Sequence, residues 1–310
     1  MTLLSVRDLS IQYDSMAGPV YAVEHTSFDM EAGETVGIVG ESACGKSTLG
    51  LGIMRSLSGG NITNGSIIFD GHSINDIPDA EFDQKYRWKQ ISMMFQGAMS
   101  SLDPVYTIQE QFAEILQHHN FVGNTGNAVS EVIAAVNLEE SILHRYPHEL
   151  SGGMKQRAII AMALLLKPRL VIADEPTTAL DVLIQARIIN MLKDLKSSGM
   201  SFLFITHDLA LLSEIADKVG IMYGGQLVEF GTSESIYNNS QHPYTKKLLE
   251  SIPRLHGSQP SYISGTPPSL LSPPTTCRFV DRCPEAMEKC QNDPPDFTTA
   301  DGMVKCWLHE

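Results

Sequence analysis

The chain has 310 residues, 43% of them hydrophobic, five cysteines and a formal net charge of -14. That length and apolar content suit one large or two modest folded domains, and the acidic balance argues against a protein that coats nucleic-acid phosphates, which would need a basic face. The longest apolar run, residues 158–166, is far short of the ~20 residues of a membrane-spanning helix, and no signal-like segment opens the chain, so a cytosolic or membrane-peripheral protein is expected.

Residues 5–13 and 21–30 read as strands, the second ending at the turn Glu31-Ala32-Gly33-Glu34 before the apolar run 35–39. Directly after that run, Gly40-Glu41-Ser42-Ala43-Cys44-Gly45-Lys46-Ser47, continuing into Thr48, fits the phosphate-loop pattern G-x-x-x-x-G-K-[ST]. The glycines allow a tight backbone path, loop N–H groups cradle phosphate, Lys46 reaches the β- and γ-phosphates, and Ser47 offers a hydroxyl to Mg²⁺. So short a pattern can arise by chance; its weight comes from lying between an apolar strand and a helix. Ala43 is expected to stay out of the backbone regions reserved for glycine. Cys44 reads as a small side chain near the phosphates, with a thiolate favoured by Lys46 and a helix N-terminus as the reactive alternative.

Residues 64–71 read as a short antiparallel hairpin, and 91–95 as a strand ending at Gln96. From 97 to 158 helical spacing, clearest over 108–118 and 128–137, replaces strands, as in a helical subdomain inserted into an α/β core. The core resumes with the strand 170–173, a helix over 184–197, the strand 201–205, and two strands over 217–230 around Tyr223-Gly224-Gly225-Gln226. After His242-Pro243-Tyr244, the residues Pro260, Pro267, Pro268, Pro273 and Pro274 mark an irregular linker.

Asp174 and Glu175 follow an apolar strand, so both carboxylates emerge at its C-terminal edge. There Asp174 can hold Mg²⁺, directly or through water, and Glu175 can polarise an attacking water as general base. By itself an Asp-Glu pair is more often a solvated turn. His207 ends the strand 201–205 and could contact the γ-phosphate, although a lone histidine is more often a surface or packing residue. Tyr13 is a candidate for stacking on adenine, with Tyr21 as competitor and a buried strand-end tyrosine as the plainer reading.

A second anion-binding design lies at Leu150-Ser151-Gly152-Gly153-Met154-Lys155-Gln156, where a Ser-Gly-Gly turn opens a helix and offers N–H groups and the positive end of its dipole. Alone, such a tripeptide is usually a flexible turn. One nucleotide does not need two such elements from one chain; the simplest use is a nucleotide trapped between two chains.

On these residues, with Tyr146-Pro147-His148-Glu149 and Arg157 around the turn and Pro176-Thr177-Thr178-Ala179-Leu180-Asp181 after the carboxylates, the chain resembles the ATP-binding cassette (ABC) ATPases over roughly its first three quarters. Ala43 and Cys44 depart from that family's usual loop, where glycine and a small polar residue are common. The resemblance implies an α/β fold: a phosphate-loop core with an antiparallel β subdomain and an inserted helical subdomain at about 97–158, within residues 1–240, then a small, irregular, Cys-rich extension over 241–310. It implies ATP and Mg²⁺ as ligands. It implies that Gln96 touches Mg²⁺ or the attacking water, that His207 is the switch histidine, and that Asp181 lies at a dimer interface. Ser151, Gly152 and Gly153 would act on the partner chain's nucleotide, and residues 97–104 with the adjoining strand and helix would dock a membrane subunit.

Cys277, Cys283, Cys290 and Cys306 crowd the end of the chain while Cys44 stands alone, a clustering that favours metal or cluster ligation over disulfides. With Pro284 and His242-Pro243-Tyr244-Thr245, they resemble the C-terminal extension of the oligopeptide and dipeptide importer ATPases, in which four cysteines bind a [4Fe-4S] cluster. A zinc site is the alternative, although no C-x-x-C pair occurs. The implied function is the translocase ATPase of a di- and oligopeptide importer, peripheral at the cytoplasmic face of the membrane. Its implied partners are a second, homologous ATPase subunit in a head-to-tail heterodimer, two transmembrane permease subunits and an extracytoplasmic solute-binding protein, with no nucleic acid. The same machinery serves oligosaccharides or nickel in other relatives. A soluble ABC ATPase acting on nucleic acid or ribosomes is the runner-up, opposed by the acidic balance, the single cassette and the absence of a long heptad insertion or basic arm. A metal-cluster regulator that only binds nucleotide is opposed by Glu175 and His207.

Overall fold

Long amphipathic strands open the chain, and in a computed structural model they run beyond their apolar centres. Residues 1–97, 100–178, 180–252 and 262–310 are described; Ala98, Met99, Ala179 and Pro260, which figure in the motif and linker readings, lie outside them. In chain order the elements are β1 (Thr2–Ser15), β2 (Gly18–Glu31), β3 (Thr35–Val39), α1 (Lys46–Ile53), β4 (Gly60–Phe69), β5 (His72–Ser73), α2 (Asp79–Lys85), β6 (Ile91–Met94), α3 (Ile108–His118), α4 (Thr125–Ala135) and α5 (Gly152–Leu164). Then follow β7 (Leu170–Asp174), α6 (Val182–Ser197), β8 (Ser201–Thr206), α7 (Leu209–Ile215), β9 (Lys218–Tyr223), β10 (Gln226–Thr232), α8 (Ser233–Asn239), α9 (Pro243–Glu250), β11 (Phe297–Thr299) and β12 (Gly302–Val304). They form two compact units: Met1–Glu31, Thr35–Asn75 and Phe204–Glu310 in the first, Ala32–Glu34 and Asp76–Leu203 in the second.

In the first unit β1 pairs antiparallel with both β2 and β4, Tyr13 standing opposite Val20 on one side and Gly60 on the other. The antiparallel hairpin expected at 64–71 is present but longer, built from β4 and β5. Asn64-Gly65 looks like a turn but lies inside β4, where the register against β1 shifts, and the reversal comes at Asp70-Gly71 before β5. Gly65 sits at φ 86, and a Cβ there would come within 2.4 Å of the Arg7 carbonyl oxygen, so the glycine marks a bulge. β3 runs parallel to β9, and β10 and β12 follow antiparallel with β11 at the edge. Every residue of β3 is buried, as a continuous apolar run between two covered faces requires.

The chain end holds more regular structure than its composition advertises. Thr232 caps α8 by accepting from the Ser235 N–H, and Pro243 occupies the first turn of α9, whose cap is His242. Burial pushes the His242 imidazole down to about 3, so it stays neutral and its Nδ1 accepts from the Tyr244 N–H at 3.0 Å. Within the stretch read as irregular, β12 adds to β10, with Glu229 opposite Val304.

In the second unit β6 and β7 are fully buried and parallel, Met94 standing opposite Ala173. α3 buries Ile108, Phe112 and Leu116 at helical spacing and begins with a reciprocal cap between Thr107 and Glu110. Among the described residues no helix is long and apolar enough to cross a membrane.

Candidate active site

The phosphate loop joins β3 to α1. Gly45, the residue before α1, sits at φ 103, and a Cβ there would lie 2.1 Å from the Ala22 carbonyl oxygen, so both conformation and space demand glycine. Lys46 is buried, and its Nζ donates to the Gly40 and Glu41 carbonyls at 2.8 Å each, which draws the loop around the ammonium. Gly40 is buried at the loop's start, while Ser42 and Ala43 are exposed. Ala43 takes φ 62, a positive value that still lies outside the regions only glycine can enter. That value falls in the small left-handed region open to L-residues, at a cost of roughly 1–2 kcal/mol. Burial, outweighing the neighbouring Lys46 ammonium, pushes the Cys44 thiol up, so the thiolate alternative is corrected to a buried neutral thiol.

Tyr13 lines a cavity of about 310 Å³ together with Ala43, Lys46, Ser47, Thr48 and Leu270. Tyr21 lines a different one, with Glu24, Arg278 and Asp293. His207 is exposed just beyond the end of β8, where Asp208 caps α7 by accepting from the Leu211 N–H at 3.2 Å.

The second unit carries the other candidates. Asp174 ends β7 and is 3% exposed. Glu175 follows at φ 52, and its Oε2 accepts from Thr178 Oγ1 at 2.8 Å. A carboxylate held in a sparsely populated backbone state at a strand end is a stored strain of about 1–3 kcal/mol, the kind found at working sites. Because β6 runs parallel beside β7, Gln96 leaves the same end of the strand pair as these carboxylates, and it is exposed. The segment after it lines an apolar groove of about 290 Å³ with Met93, Phe95, Leu102, Gln111 and Ile115, near the exposed side chains of Val105 and Tyr106.

Ser151 caps α5 by accepting from the Met154 N–H at 3.3 Å, and both Ser151 and Gly152 are exposed. Gly153 is buried; a Cβ there would lie 2.9 Å from Ile184 Cγ2 on α6. Asp181 caps α6 through the N–H of that same Ile184, at 3.0 Å. A side chain at position 153 therefore disturbs its own chain, and position 152 is the better place to probe the turn.

Ser47 in the first unit, and Gln96 and Asp174 in the second, each offer side-chain oxygen, the kind of donor a hard cation such as Mg²⁺ takes. The four cysteines fare differently. Cys277, Cys290 and Cys306 are buried, and burial followed by the neighbouring thiols pushes Cys277 up to about 12. Yet among the described residues no group of three or more His, Cys, Asp and Glu is placed to hold a metal ion, so the expected four-cysteine ligand set is not formed by these side-chain positions.

Sequence reasoning missed Glu41 and its partners. The Glu41 N–H lies 3.1 Å from Tyr244 Oη, and its carboxylate is ion-paired with Arg282. A carboxylate inside a loop built for anions was the available signal that a compensating cation had to exist.

Comparison with known proteins bears on these features. Residues 23–178 match the family model described as ABC transporter, and residues 228–290 match that of the oligopeptide/dipeptide transporter, C-terminal region. The chain is similar to the oligopeptide transport ATP-binding protein OppD of Haemophilus influenzae, 43% identical over 314 residues covering 99% of this chain and 97% of that one. It is likewise similar to the dipeptide transport ATP-binding protein DppD of Bacillus subtilis, 42% identical over 320 residues covering 99% and 95%. Among solved structures, a dimeric post-hydrolysis state of the ATP-binding cassette MJ0796 bound to ADP and Pi superposes with a TM-score of 0.66, at 26% identity over 74% of this chain and 99% of that one.

Proposed function

The chain belongs to the ABC transporter family, and from that premise we propose that it is the ATP-hydrolysing subunit of an importer of di- and oligopeptides, peripheral at the cytoplasmic face of the membrane. The observation that carries the ATPase part is the phosphate loop closing around buried Lys46 in one cavity with Tyr13. The likeness to OppD and DppD, nearly end to end, supports the peptide part.

In this reading Tyr13 stacks on the base, the loop N–H groups and Lys46 bind the phosphates, and Glu175 takes the proton of the attacking water. Gln96 and His207 orient that water. Ser47, Gln96 and Asp174 would hold Mg²⁺, which offsets charge on the phosphate oxygens when bound. Ser151, Gly152 and Gly153 serve the nucleotide of a second, homologous ATPase subunit arranged head to tail, and Asp181 couples the two. The groove beside Gln96, with exposed Val105 and Tyr106, is the surface for a transmembrane permease subunit. A solute-binding protein delivers the peptide from outside.

Reconstituting the complete transporter tests this. Peptide-loaded binding protein should stimulate ATP turnover, and Glu175→Gln should lower it by about 10²–10⁴-fold, the usual worth of a positioned base. Intact turnover in that variant removes Glu175 from its role, and stimulation by an oligosaccharide or nickel in place of peptide moves the reading to those substrates. An iron–sulfur centre would rest on the donor chemistry of Cys277, Cys283, Cys290 and Cys306 alone, since among the described residues their positions form no ligand set. Iron and sulfide in anaerobically purified protein support it; stoichiometric zinc, or no metal, eliminates it.

A further inference from the structure

We infer that the C-terminal extension is part of its own chain's nucleotide site: Arg282 is a positioning residue that neutralises and fixes the phosphate loop through Glu41, and Leu270 touches the base beside Tyr13. This rests on the reading of residues 40–48 as an ATP site. The Arg282 guanidinium meets the Glu41 carboxylate with both Nη atoms, each at 3.0 Å, in a fork-to-fork pair. The arginine side chain is 6% exposed, and its other N–H groups go to Tyr223 Oη at 3.1 Å and to the Ile263 and Ser264 carbonyls at 3.2 and 2.9 Å. So complete a set of bonds holds the charge in one place.

The pair has a consequence for phosphate. Glu41 contributes a carbonyl to Lys46 Nζ, so it belongs to the framework that places the ammonium. Without Arg282 its carboxylate would be an uncompensated negative charge within a loop that must accept a polyanion. A second hold comes from Arg278, which bonds the Gly224 carbonyl and pairs with Glu24. The adjacent Gly225 N–H donates to the Cys44 carbonyl at 3.1 Å. Leu270 is fixed by its carbonyl, which accepts from the Tyr21 N–H at 2.8 Å, and it lines the cavity that Tyr13 and Lys46 share.

The test measures equilibrium binding of ATP and of inorganic tripolyphosphate, both with Mg²⁺, to the full chain, with thermal unfolding in parallel. Arg282→Gln should weaken both ligands about tenfold, and the double variant Glu41→Gln/Arg282→Gln should recover most of that loss, because the stranded charge is gone. Leu270→Ala should weaken ATP about fivefold and leave tripolyphosphate unchanged, since only ATP has a base to lose apolar contact. Should Arg282→Gln fail to fold, Arg282→Lys, which keeps the charge and loses the fork, is read in the same way with a smaller loss.

Wild-type affinity in the arginine variants with only a lowered melting temperature would make Arg282 a structural staple and overturn its role. A double variant no better than Arg282→Gln would do the same. Equal effects of Leu270→Ala on both ligands, or none on either, would overturn the base contact. A wild-type chain that binds no ATP would sink the nucleotide reading itself, a different outcome from any of these.

Discussion

The phosphate loop and the Ser-Gly-Gly turn each open a helix, yet they are finished differently. In the loop, Lys46 is buried against two carbonyls of its own chain, Glu41 is held by Tyr244 and Arg282, and the Cys44 carbonyl by Gly225. In the turn, Ser151 and Gly152 face solvent, and buried Gly153 abuts Ile184. The loop is organised by its own chain for a ligand of its own. The turn is packed at its base and open at its tip, as the proposed service to another subunit's nucleotide requires.

Two substitutions should break that comparison at opposite ends. Gly45→Ala, with φ 103 and a Cβ 2.1 Å from the Ala22 carbonyl oxygen, has no conformation available without moving the loop. ATP binding by the isolated chain should fall by more than about a hundredfold, roughly 2.7 kcal/mol. Gly152→Asp should leave that binding unchanged, because an acidic residue suits the first turn of α5. In the complete transporter the same carboxylate would face phosphate, a like-charge contact costing several kcal/mol, so turnover should drop by at least about tenfold. Isothermal titration on the chain and turnover in vesicles separate the two. Equal loss of isolated-chain binding in both variants would mean that the turn serves its own chain's nucleotide.

The loop and the turn were legible in the sequence because each imposes a local rule: a left-handed or crowded backbone position that admits only glycine, and a hydroxyl that caps. The strand ends bearing Asp174, Glu175 and His207 were legible because buried β7 and β8 are uninterrupted apolar runs. What was not legible was the reach of β4 back to Gly60, because Asn64-Gly65 carries the chemistry of a turn as well as of a bulge and only pairing with β1 distinguishes them. α8 and α9 carried cap signals at Thr232 and His242-Pro243 that the proline-rich sequence beyond them obscured. The Arg282–Glu41 pair spans 241 positions and follows no periodicity, so nothing local could locate it.

The smallest expected effect sharpens the account of what organises the loop. Ala43 is held at φ 62, where glycine would sit without strain. Ala43→Gly relieves about 1–2 kcal/mol in the folded chain but frees the unfolded one by about 0.4–1 kcal/mol, so a net gain of up to roughly 1.6 kcal/mol is expected. For a chain of this size that is a rise of up to about 2.5 °C in melting temperature. If the braces from Tyr244, Gly225 and Arg282 set the loop's shape, ATP affinity should stay within about twofold of wild type despite the freer residue. A loss of affinity without loss of stability would show instead that alanine's own backbone restriction holds the loop, and that the braces only follow it.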